Sequence, residues 1–123
     1  PKIVAHFRAK KSTIELGNLD ISRDFGDVRA VTEAYRKLIE VCPVGKIINV
    51  CSGVAYTLRD VIGLCEEITG QQIEIQVNPA FVRANEVRVL IGDKSRLTQL
   101  INDWQPINLK KTLEWMLTDS RLG

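Results

Sequence analysis

The chain reads as a single α/β domain on three observations. Apolar residues recur at helical spacing over 27–41, over 57–69 and from about Leu109 onward. Short β-branched runs lie between these stretches, at 13–16, 46–51 and 73–77. Turn residues separate them at Gly17, Pro43, Gly45, Gly53, Gly70 and Pro79. A chain of 123 residues, 45% of them apolar, has the length of one domain and the material for a core.

Each element has its own justification. Ile3, Val4 and Phe7 mark one face of a helix end, and because Pro1 is not an initiator methionine a cut from a longer protein is expected. TIEL at 13–16 alternates polar and apolar, as a half-buried strand does. The stretch LGNLDISRDFGDVR at 16–29 then reads as a loop between that strand and a helix, crowded with Arg23, Asp24, Asp27 and Arg29. Charges of both signs at such an edge fit a polar or phosphorylated ligand. They fit equally a set of ion pairs at a helix N-terminus, where Asp24 and Asp27 suit the dipole.

From Asp27 to Val41, the residues Val28, Val31, Ala34, Tyr35, Leu38 and Ile39 trace an apolar face, and Pro43 with Gly45 ends the helix. KIINVC at 46–51 is apolar without clean alternation, which predicts a strand covered on both faces. Thr57 with Asp60 predicts a capping box for a helix carrying Leu58, Val61, Ile62, Cys65 and Ile68, closed by Gly70. Ile73, Ile75 and Val77 predict another half-buried strand. After Pro79 the chain winds, with alternation from Val87 to Ile91. Asp93 is the expected N-cap of a short helix bearing Leu97, Leu100 and Ile101; Trp104-Gln105-Pro106 forms a turn with an aromatic anchor, and a last helix carries Leu113, Met116 and Leu117.

Composition excludes several functions. Seventeen basic residues against fifteen acidic ones are spread along the chain without a stripe, so no nucleic-acid partner is expected. No apolar run approaches membrane-spanning length and no signal-peptide core opens the chain, which points to no membrane partner and a cytoplasmic location. Cys42, Cys51 and Cys65 match no zinc spacing and read as reduced core thiols. His6 stands alone on a helix and assembles no Ser-His-acid or Cys-His set, so no catalytic residue and no metal site is assigned. There is no GxGxxG or GxxxxGK[ST] turn. Two polar groups remain: Arg23 in the first loop, and Arg83 with Glu86 in the second. An arginine is a forked cation suited to phosphate, and a carboxylate three residues on can accept from ribose hydroxyls. The same spacing also describes a surface salt bridge worth less than about 1 kcal/mol.

Taken in order, LGNLDISRDFGDVR, AYRKLIE, IINVCSG, FVRANEVRVLIGDKSRL and DWQP resemble the C-terminal part of extended short-chain dehydrogenase/reductases that act on nucleotide sugars. Within that group the chain is most similar to GDP-4-keto-6-deoxy-mannose reductases, with GDP-mannose 4,6-dehydratases close behind. The resemblance implies a C-terminal substrate-binding domain over 1–123, with the N-terminal Rossmann half absent from this chain. That half would bind NAD(P) in the parent enzyme. The family's glycine-rich turn and Tyr-x-x-x-Lys pair have no match, since Tyr35 and Tyr56 are followed by RKLI and TLRD. By resemblance Arg23 contacts the diphosphate, Arg83 is a second phosphate-binding arginine, Glu86 holds the ribose, and Asn18 lies where a loop passes the nucleotide. Ala30, where the reductases often carry an acid, and Asn102-Asp103-Trp104, in place of Leu-Gly-Trp, are departures that bear on the sugar.

The expected function is therefore the nucleotide-sugar binding portion of an NAD(P)-dependent GDP-sugar reductase or dehydratase, inactive alone and holding no cofactor itself. The alternative is a stand-alone module that binds a nucleotide sugar or a protein without catalysis. A homo-oligomer is also expected, because in the resembled fold the sheet neighbours of the 46–51 strand come largely from the Rossmann half.

Overall fold

A computed structural model describes residues 2–82 and 86–119. Helices form where local signals are densest. α1 (Lys2–Arg8) buries Val4 and Phe7. α2 (Val28–Val41) starts at Asp27, whose carboxylate accepts the Arg29 N–H, and stops at Cys42, which turns left-handed (φ 49°) ahead of Pro43. α3 (Leu58–Thr69) opens on the expected capping box. Thr57 Oγ1 accepts the Asp60 N–H at 3.1 Å and the Asp60 carboxylate accepts the Thr57 N–H at 2.8 Å. Gly70, at φ 69°, closes it. In α4 (Ser95–Leu100) the cap position falls on Lys94, while Asp93 supports the turn by accepting the Ser95 N–H at 2.8 Å. α5 (Leu109–Thr118) is capped by Asn108.

Among the described residues, five short strands make two small sheets. β1 (Thr13–Leu16) lies parallel to β4 (Glu74–Val77), with Ile14 opposite Ile75 and Leu16 opposite Val77. In the other sheet, β2 (Ser22–Asp24) is central, antiparallel to β3 (Ala55–Thr57) and parallel to β5 (Val89–Leu90). This second sheet corrects the reading of 16–29 as a simple loop. Residues 22–24 are a strand because 55–57 and 89–90 supply ladder partners, and no local pattern in three half-buried residues announces them.

Two further expectations change. Residues 46–51 join no ladder among the described residues, and Ile47 is 82% exposed. Apolar, β-branched composition asks for cover on both faces, but a strand also needs hydrogen-bonded neighbours. The buried face of α2 is also not its large apolar stripe. Ala30 and Ala34 are buried, while Val28, Tyr35 and Ile39 are exposed. The reason is Trp104, whose indole needs small residues opposite and donates Nε1–H to Ala30 O at 2.8 Å.

The core has two parts. Val4, Phe7, Ile14, Leu16, Val61, Ile62, Cys65, Leu109 and Leu113 join α1, α3, α5 and the first sheet, and Ala30, Ala34, Leu97, Ile101 and Trp104 join α2 to α4. Burial pushes the Cys65 thiol up to about 11, as expected of a core thiol. Cys42 departs from that expectation, being exposed at the end of α2.

Candidate functional site

The charged cluster at 23–29 divides cleanly. Asp27 and Arg29 pair with each other: Asp27 Oδ1 accepts Arg29 N–H at 2.8 Å and Nε–H at 3.0 Å, and Oδ2 accepts Arg29 Nη2 at 2.6 Å and Thr112 Oγ1–H at 2.7 Å. The Arg29 guanidinium lies over the Trp115 ring, 4.0 Å from its centroid. This half of the cluster joins α2 to α5.

Arg23 and Asp24 do something different. They occupy β2 and line a cavity of about 450 Å³ together with residues 48–51 and 90–92. Arg23 Nη1 donates to Ser22 O at 2.9 Å and to Val87 O at 2.8 Å, and its Nη2 stands 3.6 Å from Glu86 Oε1. The chain thus brings together two sequence-predicted residues that are far apart in order. Glu86 is only 17% exposed in its side chain, and its Oε2 is buried without a hydrogen-bond partner among the described residues. A buried acceptor without a donor costs about 1–3 kcal/mol, which a ligand hydroxyl donating to it would return. Arg23, with donors beyond those three contacts, can take phosphate oxygens at the same place.

Arg83 lies outside the described residues. Asn18 is half-buried in the β1–β2 loop, where its Oδ1 accepts the Asp20 N–H at 3.1 Å, and it is not among the residues lining the cavity. Sequence reasoning missed three others. Ser52 and Gly53 anchor on Asp24, and Gly92 closes the cavity wall where a Cβ would sit 2.5 Å from Cys51 Sγ. The Ser-Gly pair was readable as a turn, but its partner across the sheet was not.

The sequence contains no glycine-rich dinucleotide-binding turn. A Rossmann turn offers the pyrophosphate a bare helix N-terminus after a strand. Among the described residues three helices follow a strand: the starts of α2 and α3 are filled by the carboxylates of Asp27 and Asp60, and α4, after β5, starts on Lys94 without a side-chain cap. Among the described residues no group of His, Cys, Asp and Glu could hold a metal ion. No helix there is long and apolar enough to cross a membrane.

Comparison with known proteins agrees with this division. The GDP-mannose 4,6 dehydratase family model matches residues 1–116. The GDP-6-deoxy-D-talose 4-dehydrogenase of Aggregatibacter actinomycetemcomitans is 38% identical over 117 residues, covering 94% of this chain and 40% of that protein. The GDP-6-deoxy-D-mannose reductase of Pseudomonas aeruginosa is 37% identical over 107 residues, 86% of this chain and 35% of its own. The structure of RMD from Pseudomonas aeruginosa complexed with NADPH superposes with a TM-score of 0.82 at 32% identity, over 95% of this chain and 39% of that one. The chain thus spans about two-fifths of the length of the curated relatives it matches, and its fold is that of the C-terminal portion of an extended short-chain dehydrogenase/reductase. With nearly its whole length matched, the chain belongs to the GDP-mannose 4,6 dehydratase family.

Proposed function

We propose that this chain is the part of an NAD(P)-dependent GDP-sugar reductase or dehydratase that grips the nucleotide diphosphate sugar. One observation carries the reading: Arg23 and Glu86 meet beside a cavity lined by Arg23, Asp24 and Asn49, and among the described residues the buried Glu86 Oε2 has no donor. The diphosphate brings negative charge to Arg23, with Arg83 as the second arginine, and a ribose hydroxyl donates to Glu86. Each charge-assisted contact is worth roughly 1.5–3 kcal/mol. Asn18 belongs to the β1–β2 loop that passes the nucleotide; its side-chain oxygen accepts from Asp20, and its amide N–H groups can donate to the ligand.

The GDP-sugar names of the relatives support the substrate class, and the NADPH complex of one relative supports the cofactor of the parent enzyme. Hydride transfer belongs to the nicotinamide, and the lack of a glycine-rich turn in this sequence supports its binding by the rest of the parent. The 123 residues alone are accordingly inactive and hold no dinucleotide. No nucleic acid or membrane enters the reading, and three free thiols support a reducing, cytoplasmic location. Alone, the chain self-associates.

The test is calorimetric titration of GDP into the product of the full reading frame that encodes this chain. Arg23→Ala is expected to weaken binding roughly ten- to hundredfold, and Glu86→Gln to weaken GDP more than inorganic pyrophosphate, which has no ribose. Equal GDP affinity in both variants and the parent would refute the reading. A second expected outcome is that the isolated 123 residues consume no NADPH in the presence of a GDP-4-keto sugar, checked by the absorbance of the reduced cofactor.

A further inference from the structure

We propose that Asp24 is the positioning residue of this nucleotide site, fastening the turn after Cys51 and the backbone at Gly92 to β2 so that the cavity walls hold the spacing Arg23 works across. The inference rests on the nucleotide reading above.

One carboxylate collects four donors from two remote segments. Asp24 Oδ1 accepts the Ser52 N–H at 3.0 Å and the Ser52 Oγ–H at 2.6 Å, and Oδ2 accepts the Gly53 N–H at 2.9 Å and the Gly92 N–H at 3.3 Å. Lys94 reinforces the same turn from behind, donating Nζ–H to Ser52 O at 2.7 Å with its stem against Gly53. The two segments so held are the ends of the cavity walls, 48–51 and 90–92.

Elsewhere those walls are held by Ile48 and Val50 packing on the α2–α4 core and by the β2–β5 ladder, neither of which reaches the turn at 52–53 or Gly92. Residues 46–51 join no ladder among the described residues, and β5 stops at Leu90. Across the gap the described contacts are Asn49 Nδ2 to Asp93 O at 3.4 Å and Arg96 Nη1 to Ile47 O at 3.2 Å. The charge-assisted bonds from Ser52 and Gly53 to Asp24 are shorter than these, and with the 3.3 Å bond from Gly92 they sit next to Arg23 on the same strand. Burial opposes ionisation of Asp24, but the hydrogen bonds from Ser52, Gly53 and Gly92 outweigh it and hold the carboxyl below its ordinary value. Every partner is a donor, so an amide at this position would turn an N–H toward N–H groups. A carboxylate is therefore the side chain that this arrangement requires.

Asp24→Asn in the product of the full reading frame is expected to raise the dissociation constant for GDP about tenfold, because a binding group displaced by a fraction of an ångström loses its geometry. Hydrogen exchange is expected to accelerate in 49–54 and 90–93 and to stay unchanged in α5. Thr112→Val, which loosens the distant Asp27 contact, lowers Tm without moving the GDP affinity, so that lost stability alone is distinguished from lost positioning. Should Asp24→Asn fail to fold, Ser52→Ala removes the shortest of the four bonds and is expected to show the same pattern at smaller size. Unchanged GDP affinity and unchanged exchange at 49–54 overturn the positioning role while leaving the nucleotide reading intact. Absence of GDP binding by the unaltered protein overturns both.

Discussion

Asp27 illustrates how much a single buried carboxylate sets. It is 3% exposed, and the hydrogen bonds from Arg29, with those from Thr112 and against the cost of burial, hold its carboxyl at about 2 where 3.8 is ordinary. A folded-state value below the unfolded one contributes stability that is fully present above the unfolded value and disappears as pH falls through the folded one. The window is therefore from about pH 4 down to about pH 2. The contribution is about 2 kcal/mol, from 1.36 kcal/mol per tenfold change in proton affinity. Asp27→Asn is expected to lower stability by about that amount at neutral pH and to flatten the acid limb of a denaturant midpoint measured against pH. An acid limb as steep as before would assign the sensitivity to other carboxylates. The four charges at 23–29 were visible in sequence as a cluster, but their division was not. Which of them meets a ligand depends on strand pairing with 55–57 and 89–90 and on Thr112 in α5, none of which is local.

At the scale of elements, what was legible was what short-range chemistry decides. The Thr57–Asp60 box, the Gly70 stop and the Asn108 start each act within a few residues, and helices stand on them. β2 and β3 are three residues long and exist through distant partners, so no local pattern found them, whereas the alternation from Val87 to Ile91 did mark the place of β5. The strand expected at 46–51 failed for the complementary reason: apolar composition says that a segment wants cover, not that a neighbour is present. Candidate site residues Arg23 and Glu86 were legible through resemblance and charge type, whereas Gly92 was not, because its need is a close approach. A Cβ there would stand 2.5 Å from Cys51 Sγ and 2.6 Å from Cys51 Cβ. Gly92→Ala is expected to force the walls apart, costing about 1–3 kcal/mol of stability. In a Cys51→Gly background, which removes both clashing atoms, the same substitution is expected to cost at least about 1 kcal/mol less. Denaturant unfolding of the four proteins in the cycle measures this, and strict additivity would show that the two residues do not compete for space.

For the whole molecule the governing quantity is apolar surface without cover. The α2–α4 core closes around only Ala30, Ala34, Leu97, Ile101 and Trp104, leaving Ile39 78% and Val44 86% exposed beyond it and Ile47 82% exposed on the unpaired 46–51 segment. β5 is an edge strand whose Val89 and Leu90 are also exposed. Scattered apolar residues on a surface need no account, but β5 is a sheet edge and 46–51 joins no ladder among the described residues, so both have backbone groups open to pairing. In an enzyme of the relatives' full length such surface has more than half the protein available to cover it; in the isolated 123 residues only another copy can do so. Strand pairing between copies along 46–51 or β5 satisfies the backbone and hides the side chains in one step. A stable pair needs roughly 1,000 Å² or more of buried surface, which these segments together with the outer face of α2 are placed to supply. The expected outcome is a dimer or larger species in light scattering across a dilution series, with a charge placed at Ile47, Ile47→Lys, shifting it toward monomer. A monodisperse species near 13.8 kDa at micromolar concentration would show that the exposed segments are held by the chain itself, and that self-association is no part of its behaviour.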